Sequence, residues 1–114
     1  MDCIFCRIAA GEIPARVVAR TDHAIAFHDL QPQAPTHLLV IPILHLAAVR
    51  DAQGEGAEQR LGHLLQLAAR AATAAGLDEG GYRIVTNTGA HGGQSVFHLH
   101  LHVLGGRPLS WPPG

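Results

Sequence analysis

The chain has 114 residues and a mass of 12.1 kDa, which is enough for one domain with one core and too little for two. Apolar residues make up 47% of it and charged residues 15%, which argues against a disordered protein. Eight basic residues, all of them Arg, and nine acidic residues give a formal net charge of -1, so a nucleic-acid partner held by charge alone is disfavoured.

The N-terminal third of the chain is predicted to form a short helix followed by strands. The helix is expected over residues 4–10 and to end at Gly11, because glycine is common at the C-terminal end of a helix. Residues 31–35 are expected to form a loop, because Pro32 and Pro35 each keep the preceding residue out of the helical region. The strands predicted in this part cover residues 16–20, 24–28 and 38–41.

One long helix is predicted in the second half of the chain. It begins near Glu55 and Glu58, two acidic residues that suit the positive end of a helix dipole, and Leu and Ala then recur at helical spacing up to Gly76. It is followed by a strand over 82–86, a glycine-rich loop over 87–96 and a last strand over 97–104. Strands in a row around a single helix predict an α+β fold, in which the helix packs on one face of an antiparallel sheet. The chain is expected to be a single domain, 1–114, with a C-terminal tail over 105–114.

The N-terminal residues and the two cysteines bear on the location of the protein. Residues 1–7 lack a charged segment followed by an apolar one, and no run approaches the roughly 18 apolar residues of a membrane span, so neither a cleaved signal nor a membrane partner is expected. Cys3 and Cys6 are too close in the chain to staple a distant part of the fold, and their spacing is typical of a metal or redox pair in a reducing compartment. The predicted location is cytoplasmic.

Three of the nine histidines alternate with apolar residues in the segment 97–103, Phe-His-Leu-His-Leu-His-Val. In a strand, Phe97 and the other apolar residues would point to one side and His98, His100 and His102 to the other. The outer two backbones would lie roughly 13 Å apart, so one metal ion can join neighbouring histidines but hardly all three. The segment therefore indicates metal binding, proton transfer or attack on phosphorus, against the alternative of a half-exposed strand with polar filler.

A glycine-rich loop, Asn-Thr-Gly-Ala-His-Gly-Gly-Gln-Ser over 87–95, leads into the histidine segment. Glycines let the backbone present N–H groups as a nest that binds phosphate without net positive charge. Ser95 adds a hydroxyl and Asn87 an amide. The loop lacks the Gly-Lys-Ser/Thr of a P-loop, and taken alone it could be an ordinary loop.

The histidine segment resembles the signature of the histidine triad (HIT) family, in which three histidines alternate with apolar residues and two apolar residues follow. Here that signature is His-Leu-His-Leu-His-Val-Leu over 98–104. The nucleotide-binding (HINT) branch is also similar at Phe-His-Asp-Leu over 27–30, Pro-Gln-Ala-Pro-Thr-His over 32–37, Gly-Gly-Gln-Ser-Val over 92–96 and Trp-Pro-Pro-Gly over 111–114. These matches cover essentially the whole chain, and Ser95 with the tail favours this branch over the dinucleoside polyphosphate hydrolases.

The resemblance implies a HIT-like fold and a purine nucleoside phosphoramidase, which splits the P–N bond of AMP-type amides. It implies that His100 attacks the α-phosphorus and forms a nucleotidyl-histidine that water then hydrolyses. An imidazole with an ordinary pKa near 6.5 is largely neutral at pH 7, as such an attack requires. The implied catalytic residues are His37, Ser95, His100 and His102.

The resemblance also implies how the nucleotide binds. Asn87, the Gly93 amide, Ser95 and His102 would hold phosphate oxygens, with His100 at the phosphorus. Asp29 would accept both ribose hydroxyls, with a turn aspartate as the alternative. Apolar residues that would enclose the base, unless they serve only as core, are Ile4, Phe5, Ile13, Phe27 and Leu30.

HIT relatives that keep the cysteine pair use it with two histidines, which here are His45 and His98. The resemblance thus implies one structural zinc ion per chain, held by Cys3, Cys6, His45 and His98. Two free thiols are the alternative. If zinc holds His98, that residue cannot also move protons in the active site, and we assign it to zinc first.

The C-terminal segment is unusually apolar, with Leu109, Trp111 and two prolines, which suggests that it packs against protein. The resemblance further implies a homodimer in which this segment reaches the partner's site. A tail that packs on its own subunit is the alternative. The substrate partner would be a purine nucleotide. Two other functions stay open, a non-enzymatic nucleotide-binding or scaffolding module and a dinucleoside polyphosphate hydrolase.

Overall fold

The computed structural model describes residues 3–114 as two helices and five strands. They are α1 (Ile4–Ala9), β1 (Val17–Arg20), β2 (Ala24–His28), β3 (Thr36–Pro42), α2 (Ala57–Ala74), β4 (Tyr82–Val85) and β5 (Leu101–Gly105), with a 3₁₀ turn at Val49–Asp51. The strands form one sheet in the order β1-β2-β3-β5-β4, and every neighbouring pair is antiparallel. This confirms the predicted α+β fold with one long and one short helix.

Both helices end where the glycines predict. The residue Gly11 follows α1 with φ of 79°, and Gly76 follows α2 with φ of 78°, a backbone region that favours glycine. Helix α1 begins after Cys3, whose Sγ accepts the Cys6 N–H at 3.3 Å. Helix α2 begins at Ala57, between the two acidic residues that predicted its start, and after Gly56 with φ of 81°.

The two faces of the sheet carry different parts of the core. The core on the face under α2 combines β2, β3 and β5 residues such as Ala24, Val40 and Val103 with the buried side of the helix. The opposite face packs against α1 through Phe5, Phe27 and other apolar residues. The histidines of β3 and β5 lie on the α1 face, because they alternate with the residues that contact α2.

The predicted last strand is too long, and its first residue faces the wrong way. Strand β5 begins at Leu101 and not at Phe97, because β3 ends at Pro42, which has no N–H to extend the ladder. The Leu99 N–H bonds instead to the Leu46 carbonyl oxygen at 2.6 Å. Leu99 still packs under α2, but Phe97 is 62% exposed, so the prediction that it joins this apolar face is wrong.

Arginine side chains fasten the tail to the rest of the fold, and in one of these bonds Arg107 Nη2 donates to the Gln33 carbonyl oxygen at 3.1 Å. Arg83 Nη2 donates to the Ser110 carbonyl oxygen at 2.8 Å, and Trp111 is 81% exposed.

Across residues 3–114, none of the helices combines the length and the apolar character that a membrane crossing requires.

Candidate functional site

His37 and His102 form a direct imidazole pair on the α1 face of the sheet. His102 lies opposite Leu39 in the β3–β5 pairing, one pleat from His37 on the same face. The His37 Nε2 and His102 Nδ1 atoms are 2.8 Å apart. The Asp29 Oδ2 atom lies 3.4 Å from the same Nε2. The predicted catalytic histidines and the predicted ribose carboxylate are therefore brought together.

Hydrogen bonds assign the protons of this pair. The backbone N–H of Gln33 donates to His37 Nδ1 at 3.0 Å, so that nitrogen carries the lone pair and the proton of neutral His37 sits on Nε2. From there it is donated to His102 Nδ1. His102 consequently carries its own proton on Nε2, where it can be donated to an anion.

Burial keeps the pair neutral. The pKa of His102 is lowered from 6.5 to about 4, first by burial and then by the neighbouring His100 and His37, while Asp29 acts in the opposite direction. Burial also lowers the pKa of His37, again partly offset by Asp29. Because both rings are neutral at neutral pH, the two hydrogen bonds run in one direction, from the Gln33 N–H to His37 and from His37 to His102.

His100 has the opposite arrangement of proton and lone pair. Its Nδ1 lies 2.7 Å from the His98 carbonyl oxygen, which can only accept, so Nδ1 carries the proton and Nε2 the lone pair. Within residues 3–114 no hydrogen bond engages Nε2. The buried ring is held edge-on by Phe5 and His102, with ring centres 5.1 and 4.9 Å away. One face of the sheet thus presents an Nε2 with a lone pair, on His100, beside an Nε2 with a proton, on His102.

The glycine-rich loop closes on itself before the histidine segment. The Gly93 N–H, predicted to hold phosphate, donates to the Ala90 carbonyl oxygen at 3.1 Å, so a phosphate oxygen would have to share or replace that bond. A Cβ on Gly92 would lie 2.5 Å from the Thr88 carbonyl oxygen, so this turn requires glycine. Ser95 is exposed and Asn87 half-buried.

Cys3, Cys6, His45 and His98 converge on one point between α1 and the histidine segment. His98 Nδ1 lies 3.3 Å from Cys3 Sγ, 3.4 Å from Cys6 Sγ and 3.1 Å from His45 Nδ1. Tetrahedral zinc with its usual Zn–S and Zn–N bonds places neighbouring ligand atoms about 3.3–3.8 Å apart, close to these distances. The four residues predicted to bind zinc therefore form a cluster that can hold a metal ion.

The tautomer of His98 suits a metal ligand. Its Nε2 donates to the Pro42 carbonyl oxygen at 2.8 Å, which leaves the lone pair on Nδ1, inside the cluster. A metal-binding histidine usually donates its other ring N–H to such an acceptor. His98 is fully buried, and burial lowers its pKa, which favours the neutral form that binds metal. Neither ring nitrogen of His98 is therefore available to the His37–His102 pair.

The residues predicted to enclose the base lie in different environments. Phe5 and Phe27 are core residues, 7% and 3% exposed, with ring centres 5.9 Å apart. Ile13 is half-buried, Ile4 is 50% exposed and Leu30 is 90% exposed. Base binding by these five residues stays a prediction.

Two glutamines contribute to the site in ways that residue spacing does not reveal. Gln33 acts through its backbone N–H on His37, and the buried Gln94 side chain bonds to three backbone groups around the glycine-rich loop. Both glutamines lie in the segments that resemble the HINT branch, and this resemblance was the only feature of the sequence that could have pointed to them. A cavity of about 440 Å³ between α2 and the segment after β3 includes none of the predicted site residues.

Comparisons with known proteins agree on one family. The HIT domain model matches residues 10–109. A purine nucleoside phosphoramidase of Escherichia coli strain K12 is 47% identical over 108 residues, covering 95% of this chain and 90% of that protein. The crystal structure of a HIT family hydrolase from Legionella pneumophila has a TM-score of 0.93 and 51% identity, covering 99% of this chain and 100% of the other. A histidine triad protein of Clostridium difficile has a TM-score of 0.91 and 42% identity, covering 96% and 95% of the two chains.

Proposed function

The chain belongs to the HIT domain family, and from that premise we propose that it hydrolyses the P–N bond of purine nucleoside 5′-monophosphoramidates. One observation carries the proposal. Two adjacent imidazoles have opposite tautomers, His100 with a lone pair on Nε2 and His102 with a proton on Nε2. A nucleophile and a hydrogen-bond donor side by side are what substitution at an anionic phosphorus requires. The 47% identity with a bacterial phosphoramidase supports the same reaction class.

In the first step His100 Nε2 attacks the α-phosphorus. A P–N bond forms to the imidazole, the P–N bond to the amine breaks, and its electron pair leaves with the amine nitrogen, which takes a proton from solvent. The His98 carbonyl oxygen accepts a hydrogen bond from the Nδ1–H throughout, so the positive charge that develops on the ring is stabilised where it arises. This is the nucleotidyl-histidine intermediate.

In the second step water displaces His100 from the phosphorus. The water oxygen attacks the phosphorus, the bond to His100 breaks with its electron pair returning to Nε2, and the nucleoside monophosphate and a proton are released. A phosphoramidate of imidazole is labile, and the reaction returns His100 to its starting tautomer. The neutral His102 donates its Nε2 proton as a hydrogen bond to a phosphate oxygen in both steps.

The nucleotide is bound by groups around these imidazoles. Ser95, Asn87 and the Gly93 amide would contact phosphate oxygens. Asp29 would accept the ribose hydroxyls through Oδ2, since its Oδ1 already accepts the Gln31 N–H at 2.8 Å. The Asp29 side chain is 21% exposed, which leaves it accessible to a sugar.

The metal cluster is proposed to hold one zinc ion per chain, bound by Cys3, Cys6, His45 and His98. The convergence of two sulfurs and two imidazole nitrogens supports this assignment. Zinc there would be structural, with four protein ligands and no open position for substrate. Its residues would fasten α1 to the histidine segment, which also places Phe5 against His100.

A cytoplasmic location and a homodimer are proposed as well. Cys3 and Cys6, which form no disulfide within residues 3–114, support a reducing compartment. An 81% exposed Trp111 next to Pro112 and Pro113 supports a contact with a second copy of the chain, since such a tail is costly to leave in water.

The test is turnover of an AMP amide by the purified protein and by His100→Ala. We expect turnover to be abolished in the variant while AMP still binds, because binding is spread over several other groups. Denaturing mass spectrometry of quenched wild type should find a nucleotidyl adduct on His100. Near-normal kcat in His100→Ala would refute the covalent scheme. AMP binding without turnover in the wild type would favour a nucleotide-binding module, and preference for a dinucleoside polyphosphate would favour that hydrolase class.

A further inference from the structure

The side chain of Gln94 joins three backbone segments next to the phosphate-binding loop. Its Oε1 accepts the Gly89 N–H at 3.0 Å, and its Nε2 donates to the carbonyl oxygens of Ala47 at 2.7 Å and Val96 at 3.1 Å. The residue is only 9% exposed. Both amide hydrogens and the amide oxygen are therefore used inside the protein. We propose that Gln94 is a positioning residue that sets the place of the Ser95 hydroxyl.

The bonds of Gln94 enclose Ser95 on both sides. The Gln94 N–H donates to the Gly89 carbonyl oxygen at 3.1 Å, which fixes the backbone before Ser95. The side-chain bond to the Val96 carbonyl oxygen fixes the backbone after it. Ser95 itself is exposed, and its hydroxyl makes no hydrogen bond within residues 3–114. The place of this hydroxyl thus depends on the neighbouring amide and on no contact of its own.

The same contacts tie the loop to the nucleophile. Ala47, which accepts from Gln94, follows Leu46, which accepts the Leu99 N–H at 2.6 Å. Leu99 immediately precedes His100. One short backbone segment therefore anchors both the loop and the nucleophilic histidine, so Gln94 fixes the loop relative to the reacting atom. A displacement of about 1 Å of a positioned group can cost on the order of a hundredfold in rate.

The proposal rests on the proposed function, because it concerns how Ser95 serves the reaction, and a double-mutant cycle on kcat tests it. Gln94→Met keeps the approximate volume and removes all three side-chain bonds. In the Ser95 background it should lower kcat by about tenfold or more. In the Ser95→Ala background the same change should lower kcat by less than about threefold, because the group it positions is already absent. KM should change little in both backgrounds, since Asp29 still binds the ribose.

A matched control separates positioning from general loosening. Gln53→Met removes an exposed glutamine amide that bonds one backbone carbonyl oxygen, that of Arg50 at 2.9 Å. Gln53→Met should leave kcat unchanged in both the Ser95 and the Ser95→Ala background. If Gln94→Met fails to fold, Gln94→Glu replaces it, because a carboxylate still accepts the Gly89 N–H while losing both donors, and the same non-additivity is expected.

The outcomes distinguish this proposal from the proposed function. Equal losses of kcat from Gln94→Met in the Ser95 and Ser95→Ala backgrounds would overturn it, as would wild-type kcat in a folded Gln94→Met. A wild type that turns over no amide would refute the proposed function alone. In that case amide hydrogen exchange at Ser95 and Val96 tests Gln94: faster exchange in the Gln94 variant than in Gln53→Met supports the positioning role, and equal exchange overturns it.

Discussion

Acid should destabilise the protein through His102. The folded-state pKa of its ring is lowered from 6.5 to about 4, first by burial and then by the neighbouring His100 and His37, against the opposing effect of Asp29. In the unfolded chain the ring has the ordinary pKa near 6.5. Between these two values the unfolded state binds more protons than the folded state, so the free energy of unfolding falls as the pH falls through this range. The contribution is fully present above about pH 6.5.

The size of this contribution follows from the difference in pKa. The folded and unfolded pKa values of His102 differ by roughly 2.5, which at 1.36 kcal/mol per pKa unit corresponds to about 3 kcal/mol. Because the ring stays partly accessible from the site, solvent screening reduces the expected loss to about 2 kcal/mol. That is a substantial part of the 5–15 kcal/mol by which small domains are stable.

Urea unfolding of the wild type and of His102→Asn measures this loss at several pH values between about 7 and 4, with a chelator in all samples so that metal release does not contribute. The stability advantage of the wild type over the variant should shrink by about 2 kcal/mol across this range. Asn87→Ala serves as the control, since it alters the same site without removing a titratable group and should shift stability equally at every pH. A His102→Asn difference that is independent of pH, or that grows in acid, would refute the reasoning.

Three further results are expected. Purified protein should contain about one zinc per chain, and Cys6→Ser should lose it and melt at a lower temperature, as elemental analysis and thermal unfolding will show; native protein with no zinc and two reactive thiols would contradict this. Asp29→Asn should raise KM for an AMP amide by about tenfold and abolish the preference for the ribose substrate over its 2′-deoxy analogue. If the ribose is bound elsewhere, the variant keeps that preference. Deletion of residues 110–114 should change the preference among amines more than turnover of the smallest amide, and the wild type should sediment as a dimer. A monomer with unchanged preference after deletion counts against the tail's role.

The helices were predictable from sequence because their signals are local. Glycines mark the ends of both helices, and the Leu and Ala spacing of α2 describes a single buried face. The start of β5 was not predictable in the same way. Alternation predicts which residues share a face, and Leu99, Leu101 and Val103 do share one. Whether Phe97 joins them depends on where the partner strand ends, and that is a property of Pro42, far away in the chain.

The metal cluster shows how much a resemblance adds to spacing. Cys3 and Cys6 alone indicate a metal or redox pair, and spacing cannot name the other ligands because they come from distant segments. The family resemblance supplies His45 and His98, and the structure brings all four together. Gln94 lies at the other extreme, because its bond to Ala47 reaches a residue that is close only after folding.

The three histidines of the signature have identical side chains, and their backbone surroundings give them different chemistry. His98 donates from Nε2 to the Pro42 carbonyl oxygen and so turns a lone pair on Nδ1 toward the cysteines. His100 donates from Nδ1 to the His98 carbonyl oxygen and so keeps its lone pair on Nε2. His102 accepts at Nδ1 from His37 and so keeps a proton on Nε2. The proposed ligand, nucleophile and donor are thus distinguished by which ring nitrogen meets an acceptor and which meets a donor. A motif that specifies only residue types predicts the reaction class, and in the proposed mechanism these hydrogen bonds determine which ring performs each part of it.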